Sequence, residues 1–349
     1  MSMRTVEVEV DVTDAVSIGE PLTMAATVVL PDVIPEQPIV CFALPGGGYN
    51  RRYFTFDMPG SSGSGQAGWH AARGWIFIGI DTLNTGDSTK PAEPGRLSYE
   101  KLAASNDHVV RELLGRLANG TLADGVDPVT DPRTIGFGHS LGGSLTVLTQ
   151  GQLHPFDAIV VLGFSARHTM IWAPPGLATG RRVYLPRGTN VAELTADVFQ
   201  AAMPEMAFDE KGWPLCAPGF HLDDVPADIV AMDMANYPTR NAPLPEWASA
   251  TIPPAAMTMM SPGSIASEAA SITTPVFVGV GELDTIMELD LEPAAYEMSD
   301  DVTLFRCRGA AHMHNFATTR ETMWARVHGW AESVVHTSAV SAQREEARA

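Results

Sequence analysis

Residues 135–143 constrain the fold of this chain more strongly than any other stretch. They read Ile-Gly-Phe-Gly-His-Ser-Leu-Gly-Gly, an apolar strand that leads through Ser140 into a helix. The pattern Gly-x-Ser-x-Gly is typical of a turn so tight that only glycine is tolerated two residues before and two residues after the serine. The serine backbone is strained in such a turn, and its hydroxyl projects away from the sheet. The stretch therefore predicts a catalytic serine, and a glycine-rich turn with an incidental serine is the alternative.

Apolar strands and amphipathic helices alternate along most of the chain. The first two strands are expected to form a hairpin, and the later strands are apolar throughout, which is typical of parallel strands buried on both faces. Predicted strands cover residues 5–12, 21–30, 38–44, 75–80, 134–137, 157–162 and 302–307 and the run from Pro275, and predicted helices cover residues 64–73, 99–117, 141–152, 265–272, 293–298 and 318–335. This alternation predicts an α/β fold with a mostly parallel, doubly wound sheet and right-handed crossovers.

Residues 164–264 interrupt this alternation. The segment is rich in proline, methionine and tryptophan, and it is too long for a structureless loop. We expect an inserted helical cap that rests on the sheet, with most of its apolar side chains in the cap's own core and a few facing a substrate. The chain would then divide into a core of residues 1–163 and 265–336, a cap or lid of residues 164–264, and a polar, flexible tail of residues 337–349.

Composition excludes several classes of partner. The formal net charge is −19 at pH 7, so the chain offers no basic surface to neutralise nucleic-acid phosphates. No apolar run is long enough to span a bilayer, and the start of the chain lacks the basic and apolar regions of a secretory signal. The three cysteines show no disulfide or zinc spacing. We therefore expect a cytoplasmic protein that acts on a small molecule without a nucleic-acid or membrane partner, and the oligomeric state stays open.

A serine hydroxyl becomes a good nucleophile only when a base removes its proton, and a third group must orient that base. An acid and then a histidine follow later strands of the predicted sheet. His312 is the expected base, because it follows a strand end through a short turn of small residues, and His314 is the alternative. Asp284 is the expected acid, because it comes just after an apolar strand, and Glu282 is the alternative.

Two backbone amides would stabilise the negative oxygen that forms when a serine attacks a carbonyl. One is the N–H of Leu141, at the start of the helix after Ser140, where the helix dipole also favours negative charge. The other is expected from the glycine run after the third strand, because consecutive glycines let a backbone approach a ligand closely. Gly47 and Gly48 are the candidates in that run.

Three further side chains are candidates for substrate binding. They are Tyr49 beside the glycine run, His139 beside the serine, and His314. His139 also fits a packing role beneath the turn. Arg51 and Arg52 are expected to be solvated or paired at the surface. No cluster of residues suggests a metal site, and the expected chemistry requires neither a metal ion nor an organic cofactor.

These motifs resemble those of the α/β-hydrolase superfamily, in particular its serine esterases and lipases with a cap domain. The resemblance rests on Gly-His-Ser-Leu-Gly-Gly at 138–143, the glycine run at 46–48 and the loops at 81–88, 282–284 and 309–312. It implies an α/β-hydrolase fold, a Ser-His-Asp triad, and structural roles for Asp81 and Asp87 in a turn.

The chain departs from parts of that pattern. In this family the loop after the third strand commonly begins with histidine, whereas Pro45 takes that place here. The serine nucleophile also differs from the aspartate of related dehalogenases and epoxide hydrolases, which disfavours those two reactions.

The expected reaction is hydrolysis of a carboxylic ester or a lactone of a moderately apolar small molecule through an acyl-enzyme. The same residues could act on a carbon–carbon bond, a thioester or a peptide, or transfer an acyl group to an acceptor other than water, since fold does not decide among these reactions. A ligand-binding protein that keeps the hydrolase fold is the alternative outside catalysis.

Overall fold

The computed structural model describes residues 3–61, 63–177, 184–194, 196–238, 240 and 242–346. Strands in this part of the chain are β1 (Arg4–Asp11), β2 (Thr23–Leu30), β3 (Ile39–Leu44), β4 (Ile76–Ile80), β5 (Arg133–His139), β6 (Ala158–Leu162), β7 (Val276–Gly281) and β8 (Val302–Cys307). They form a sheet in the order β1-β2-β4-β3-β5-β6-β7-β8. β2 is antiparallel to β1 and to β4, and the remaining neighbours are parallel. The predicted mostly parallel sheet with an opening hairpin is confirmed.

Helices cover both faces of this sheet. They are α1 (Thr13–Val16), α2 (Gly65–Ala71), α3 (Tyr99–Ala118), α4 (Leu141–Leu153), α5 (Ala196–Ala202), α6 (Ala217–Phe220), α7 (Ala227–Met234), α8 (Ala256–Met259), α9 (Ala266–Ala270) and α10 (Arg320–Glu346). α3, α4 and α9 contribute to the apolar core on one face, and α2 and α10 contribute to the core on the other. Residues of β3, β4, β6 and β7 are buried throughout, because helices exclude water from both sides of the sheet.

The chain between β6 and β7 leaves the alternating pattern, and we call residues 164–264 the inserted segment. It contains the short helices α5 to α8. It is joined to the loop after β3, where Tyr49 and Ala248 form an antiparallel bridge. The Asn50 side-chain amide donates to the carbonyl of Ala248 at 2.7 Å, and the Asn50 backbone N–H donates to the carbonyl of Trp247 at 2.8 Å. These bonds hold part of the inserted segment against a loop at the carboxyl edge of the parallel strands.

The last helix is longer than its sequence pattern indicates. We expected the helix to end at residue 335, because the polar residues beyond it have no apolar face. In the structure α10 continues to Glu346, since helix propagation adds one hydrogen bond per residue and this stretch contains good helix formers such as Ala, Gln, Arg and Glu. The rest of the expected tail, residues 347–349, lies outside the described residues.

The length and hydropathy of the helices bear on membrane insertion. Over the residues that the structure describes, no helix combines the length and apolar character needed to cross a bilayer.

Arg51 carries a buried positive charge beneath the loop after β3. Its guanidinium donates to Asp81 at 2.5 Å, to Asp87 at 2.8 Å and to Glu7 at 2.8 Å, and the residue is only 4% exposed. Asp81 is fully buried and also accepts the backbone N–H of Asp87 at 2.8 Å. The expectation of a surface position is therefore wrong for Arg51. Its charge fixes the turn after β4 to the loop after β3.

Replacing Arg51 with methionine should destabilise the fold by about 3–5 kcal/mol, because it leaves the buried Asp81 carboxylate without its cation. The matched change Arg52→Met removes a side chain that is 41% exposed and paired with Asp87, so a loss below about 1 kcal/mol is expected. Urea denaturation of both variants measures the difference. Similar losses for the two variants would contradict a stabilising role for the buried ion pair.

Candidate active site

Ser140 occupies the sharp turn between β5 and α4. Its backbone has φ 54° and ψ −117°, a combination that is strained for a residue with a side chain. The Ser140 N–H donates to the carbonyl of Leu162 at 2.7 Å and holds the turn against β6. A Cβ atom at Gly138 would overlap the backbone of Gly142, and one at Gly142 would overlap the carbonyl of Leu44. Both glycines of the motif are therefore required by close backbone approach.

Asp284 lies just beyond β7 and is bound by two histidines. Its Oδ1 accepts a hydrogen bond from His312 Nδ1 at 2.6 Å, and its Oδ2 accepts one from His314 Nε2 at 2.8 Å. The backbone N–H groups of Thr285 and Gly281 donate at 2.7 Å and 2.6 Å. Burial alone would raise the pKa of the Asp284 carboxyl, but the two imidazoles outweigh it and hold that pKa well below its ordinary value. Asp284 is thus an ionised, fully hydrogen-bonded carboxylate.

His312 lines the same cavity as Ser140. Because its Nδ1 donates to Asp284, its Nε2 is the ring nitrogen that remains for proton exchange. The ring lies close to the β6 loop, where a Cβ atom at Gly163 would approach His312 Cε1 to 2.9 Å. Phe220 of the inserted segment packs edge-on against the ring at a centroid distance of 4.9 Å. The sheet and the inserted segment together determine the position of this imidazole.

The two alternatives raised by the sequence lie elsewhere. His314 binds the other oxygen of Asp284 and is not among the described residues that line the cavity. Its Nδ1 is buried and has no hydrogen-bond partner in the described part of the chain. Glu282 is exposed and accepts the backbone N–H of Gly309 at 3.1 Å. Asp284 is therefore the carboxylate that meets both histidines.

His139 packs behind the turn. Its Nε2 donates to the backbone carbonyl of His312 at 2.7 Å, and its ring stacks on Tyr53 at a centroid distance of 5.3 Å. Burial lowers the pKa of His139 well below its ordinary value, and the neighbouring His312 and His314 lower it further. A neutral His139 that donates to His312 is consistent with the packing role, and the residue is absent from the described cavity wall.

The carbonyls of the loop after β3 are held by hydrogen bonds. The carbonyl of Gly46 accepts the N–H of Tyr49 at 3.1 Å, and that of Gly47 accepts the Tyr237 hydroxyl at 3.0 Å. The Gly46 carbonyl and the Gly47 N–H belong to the same peptide. Because the N–H points opposite to the carbonyl in a trans peptide, the N–H of Gly47 is directed away from the Gly46 oxygen. Among the described residues, no hydrogen-bond acceptor is recorded for the N–H of Gly47 or of Leu141.

Gly47 and Gly48 differ in their surroundings. Gly47 lines the cavity, and a Cβ atom placed there would lie 3.8 Å from the Leu141 Cβ. Gly48 has φ +79°, and its Cβ position faces the carbonyl of Pro238 at 2.7 Å. Gly47 is therefore the better placed of the two to present its amide beside Leu141.

Tyr49 does not reach the cavity. It is fully buried, and its hydroxyl donates to Asp233 at 2.6 Å. His221, Arg240 and Trp247 bind the same carboxylate. Sequence reasoning missed this cluster, because its members are single polar residues scattered through a segment without periodicity. The expectation that Tyr49 contacts substrate is therefore not supported by its position.

The cavity and its opening to solvent together comprise about 620 Å³ of space outside the protein atoms, and the wall is mostly apolar. Ser140, Gly47 and His312 line one part of it. The wall includes the side chains of Met203, Met206, Met257, Met259 and Met260, all from the inserted segment. The described lining residues include one histidine, His312, and no Asp, Glu, Lys or Arg. In the described part of the chain, no group of three or more His, Cys, Asp or Glu residues could hold a metal ion.

The strand order and the strained serine turn define an α/β protein of the hydrolase class. A model of the alpha/beta hydrolase family matches residues 41–324. The chain therefore belongs to the alpha/beta hydrolase family and is a hydrolase by that membership. Comparison of the sequence with curated proteins gives no match.

Solved structures with different activities share this fold. A thermophilic esterase from Thermogutta terrifontis is 14% identical with a TM-score of 0.56, and the alignment covers 94% of this chain and 99% of that chain. A proline iminopeptidase from Mycobacterium smegmatis is 17% identical with a TM-score of 0.56, covering 97% and 100%. A haloalkane dehalogenase loop variant from Bradyrhizobium elkanii is 15% identical with a TM-score of 0.56, covering 98% and 100%. At this level of identity the likeness shows the fold alone.

Replacing His314 with leucine should lower the kcat for a chromogenic ester by about tenfold or more. The change removes a hydrogen bond to a buried charge, which is worth about 1.5–3 kcal/mol, and it frees Asp284 to move away from His312. The variant His314→Gln keeps an N–H donor on a side chain of similar reach and should retain most of the activity. Steady-state kinetics and melting temperatures of both variants provide the measurement. Equal losses of kcat in the two variants would show that this hydrogen bond does not matter.

Proposed function

We propose that this protein is a serine hydrolase that cleaves a carboxylic ester or a lactone of a moderately apolar small molecule through an acyl-enzyme. Ser140 is the nucleophile, His312 is the base and Asp284 is the acid that orients the base. The observation that carries the proposal is the shared cavity of Ser140 and His312, with the imidazole tied at Nδ1 to an ionised carboxylate.

The proposed proton path follows from the hydrogen bonds of His312. Its Nδ1–H is held by Asp284 at 2.6 Å, so Nε2 takes the proton of Ser140 as the hydroxyl oxygen attacks the carbonyl carbon. The imidazolium that results is stabilised by the Asp284 carboxylate. His312 then gives the proton to the leaving alcohol, and a water molecule activated by the same nitrogen hydrolyses the acyl-enzyme.

The negative oxygen of the tetrahedral intermediate would be bound by the N–H groups of Leu141 and Gly47. Leu141 begins α4, where unpaired amides and the helix dipole favour negative charge. Gly47 lies next to Leu141 on the cavity wall. Two neighbouring amides that have no acceptor among the described residues and lie beside an apolar cavity support acyl transfer, because donors of this kind stabilise the charge that develops in that reaction.

The apolar wall supports an uncharged substrate. The described lining offers no arginine or lysine to bind a carboxylate or phosphate and no acid to bind an amine. Methionine side chains adapt to ligands of varied shape. The inserted segment, which supplies five of them, is proposed to act as a cap that shapes the pocket for an apolar acyl or alkoxy group.

A second small cavity continues this wall. It encloses about 330 Å³ and is lined in part by Leu185 and Ala202. Met203, Met257 and Met260 line both cavities, so these side chains stand where the two spaces meet. A longer apolar chain would have to displace them to pass from the first cavity into the second.

Changing Ser140 to alanine should abolish ester hydrolysis and labelling by a fluorophosphonate, with a loss in kcat on the order of 10⁶. Ser144→Ala is the matched control, because Ser144 lies on the same helix but its hydroxyl donates to the Leu141 carbonyl at 2.7 Å. The control should still be labelled. Intact protein mass measures the adduct, and a panel of ester, lactone, thioester and amide substrates identifies the bond that is cleaved. Labelling or full activity in Ser140→Ala would refute the proposal.

Shortening Met203 to alanine should shift the substrate preference toward longer acyl chains. The change opens the space between the two cavities, and we expect the kcat/KM ratio of p-nitrophenyl octanoate to p-nitrophenyl butyrate to rise about tenfold, as for discrimination between apolar chains in a pocket. Met206→Ala is the comparison, because Met206 lines the first cavity but is not among the residues of the second. An equal rise in the two variants would mean that Met203 does not separate the cavities.

A further inference from the structure

Asp233 of the inserted segment is a fully buried carboxylate at the centre of a hydrogen-bond cluster. Its Oδ2 accepts from the Tyr49 hydroxyl at 2.6 Å and from His221 Nε2 at 2.8 Å, and its Oδ1 accepts from Trp247 Nε1 at 2.7 Å and from Arg240 Nη2 at 3.0 Å. Burial alone would raise the pKa of Asp233, but His221 and Arg240 keep it below its ordinary value. A buried anion with this many donors fixes the positions of all of them.

Two side chains at this cluster also bind the glycine loop. Arg240 packs against the rings of both Tyr49 and Tyr237, with its guanidinium carbon 4.9 Å from each ring centre. Its Nη1 donates to the carbonyl of Gly48, and the Tyr237 hydroxyl donates to the carbonyl of Gly47 at 3.0 Å. The cluster therefore extends from Asp233 to the backbone of the loop after β3.

These contacts restrict a segment that would otherwise be flexible. Three consecutive glycines have wide backbone freedom, and either face of each peptide could turn toward the cavity. Here the carbonyl of Gly46 is bound by the N–H of Tyr49, while Tyr237 and Arg240 bind the next two carbonyls. Fixing each carbonyl fixes the amide of the same peptide. The Gly46 carbonyl shares its peptide with the Gly47 N–H, and the Gly48 carbonyl, which Arg240 binds, shares its peptide with the Tyr49 N–H that holds Gly46. Tyr237 holds the peptide between these two, so a flip of the Gly47 N–H is opposed at its own peptide and at the two that follow.

We propose that Asp233, Arg240 and Tyr237 of the inserted segment are positioning residues that aim the Gly47 amide at the negative oxygen of the tetrahedral intermediate. This proposal rests on the proposed function. It gives the inserted segment a part in the chemical step in addition to its part in forming the apolar wall. The cluster is anchored to the loop after β3 through Tyr49, Gly47 and Gly48, and these hydrogen bonds persist only while this part of the inserted segment stays docked on the sheet edge.

Tyr237→Phe is the sharpest test, because it removes the hydroxyl that binds Gly47 and keeps the ring that faces the cavity and Arg240. An amide that is no longer aimed at the oxyanion should lower kcat by about tenfold, somewhat less than the loss of a complete donor. KM should stay within about twofold, since the contacts with the uncharged substrate are kept. Asp233→Asn should lower kcat in the same direction and should also lower the melting temperature.

Tyr99→Phe is the matched control. The Tyr99 hydroxyl also joins the sheet domain to the inserted segment, through Thr258 at 2.7 Å, but it does not touch the glycine loop. Its kcat should equal that of the unchanged protein. If Tyr237→Phe and Tyr99→Phe lower kcat equally, the hydroxyls serve only to dock the inserted segment and the proposal is wrong.

The inhibition constant of an aryl trifluoromethyl ketone is a second measurement. It should not change if the Tyr237 hydroxyl only docks the inserted segment on the sheet edge. The serine adduct of this probe carries a negative oxygen at the position of the oxyanion, so its inhibition constant should weaken in Tyr237→Phe by the same factor as kcat/KM falls. An unchanged inhibition constant would overturn the positioning role. Failure of the underlying function has a different signature, because the ketone would then not inhibit the unchanged protein and Ser140→Ala would remain active.

Discussion

The charge of Asp284 is the constraint on which the rest of the site depends. A carboxylate buried between the ends of β7 and β8 is tolerated only when donors replace its lost hydration. Two imidazoles and two backbone amides provide that replacement. Because His312 and His314 must both reach one carboxylate, the loop after β8 has little freedom. The requirement to satisfy one buried anion thus places an imidazole on the wall of the cavity that Ser140 also lines.

The features that local rules determine were predictable from the sequence. Gly138 is required because its hydrogen atom faces the backbone of Gly142, a few residues on, whereas Gly142 faces the end of β3 at Leu44, and both requirements come with the motif of this turn. The strands and α3 follow from short apolar periodicities, and their observed bounds differ by one or a few residues from the predicted ones. An acid after β7 could be expected because the order of strand ends along a parallel sheet is a property of the fold, and at that strand end Asp284 was preferred to Glu282.

Features that depend on distant partners were not predictable. Tyr49 meets Asp233 across a large separation in sequence, and Arg51 is buried because Glu7 of β1 and Asp81 of the turn after β4 both bind it. Nothing near either residue in the chain indicates such a partner. The sequence favoured His312 over His314 as the base from the short turn before it, but it did not indicate that both histidines bind Asp284 and that, of the two, only His312 lines the described cavity wall.

The buried carboxylates of Asp284 and Asp233 both lie outside the described cavity wall. Each lies behind the wall and binds a side chain that has a further nitrogen for another contact, His312 for Asp284 and Arg240 for Asp233. The described wall itself contains no carboxylate, so its interior has a low effective dielectric, in which a hydrogen bond to a developing charge is stronger than in water. The methionines on the wall can therefore vary with the substrate while the acids behind it stay in place. Tyr237 belongs to both sets, because its ring faces the cavity and its hydroxyl binds Gly47, and substitutions at this position should couple selectivity to rate.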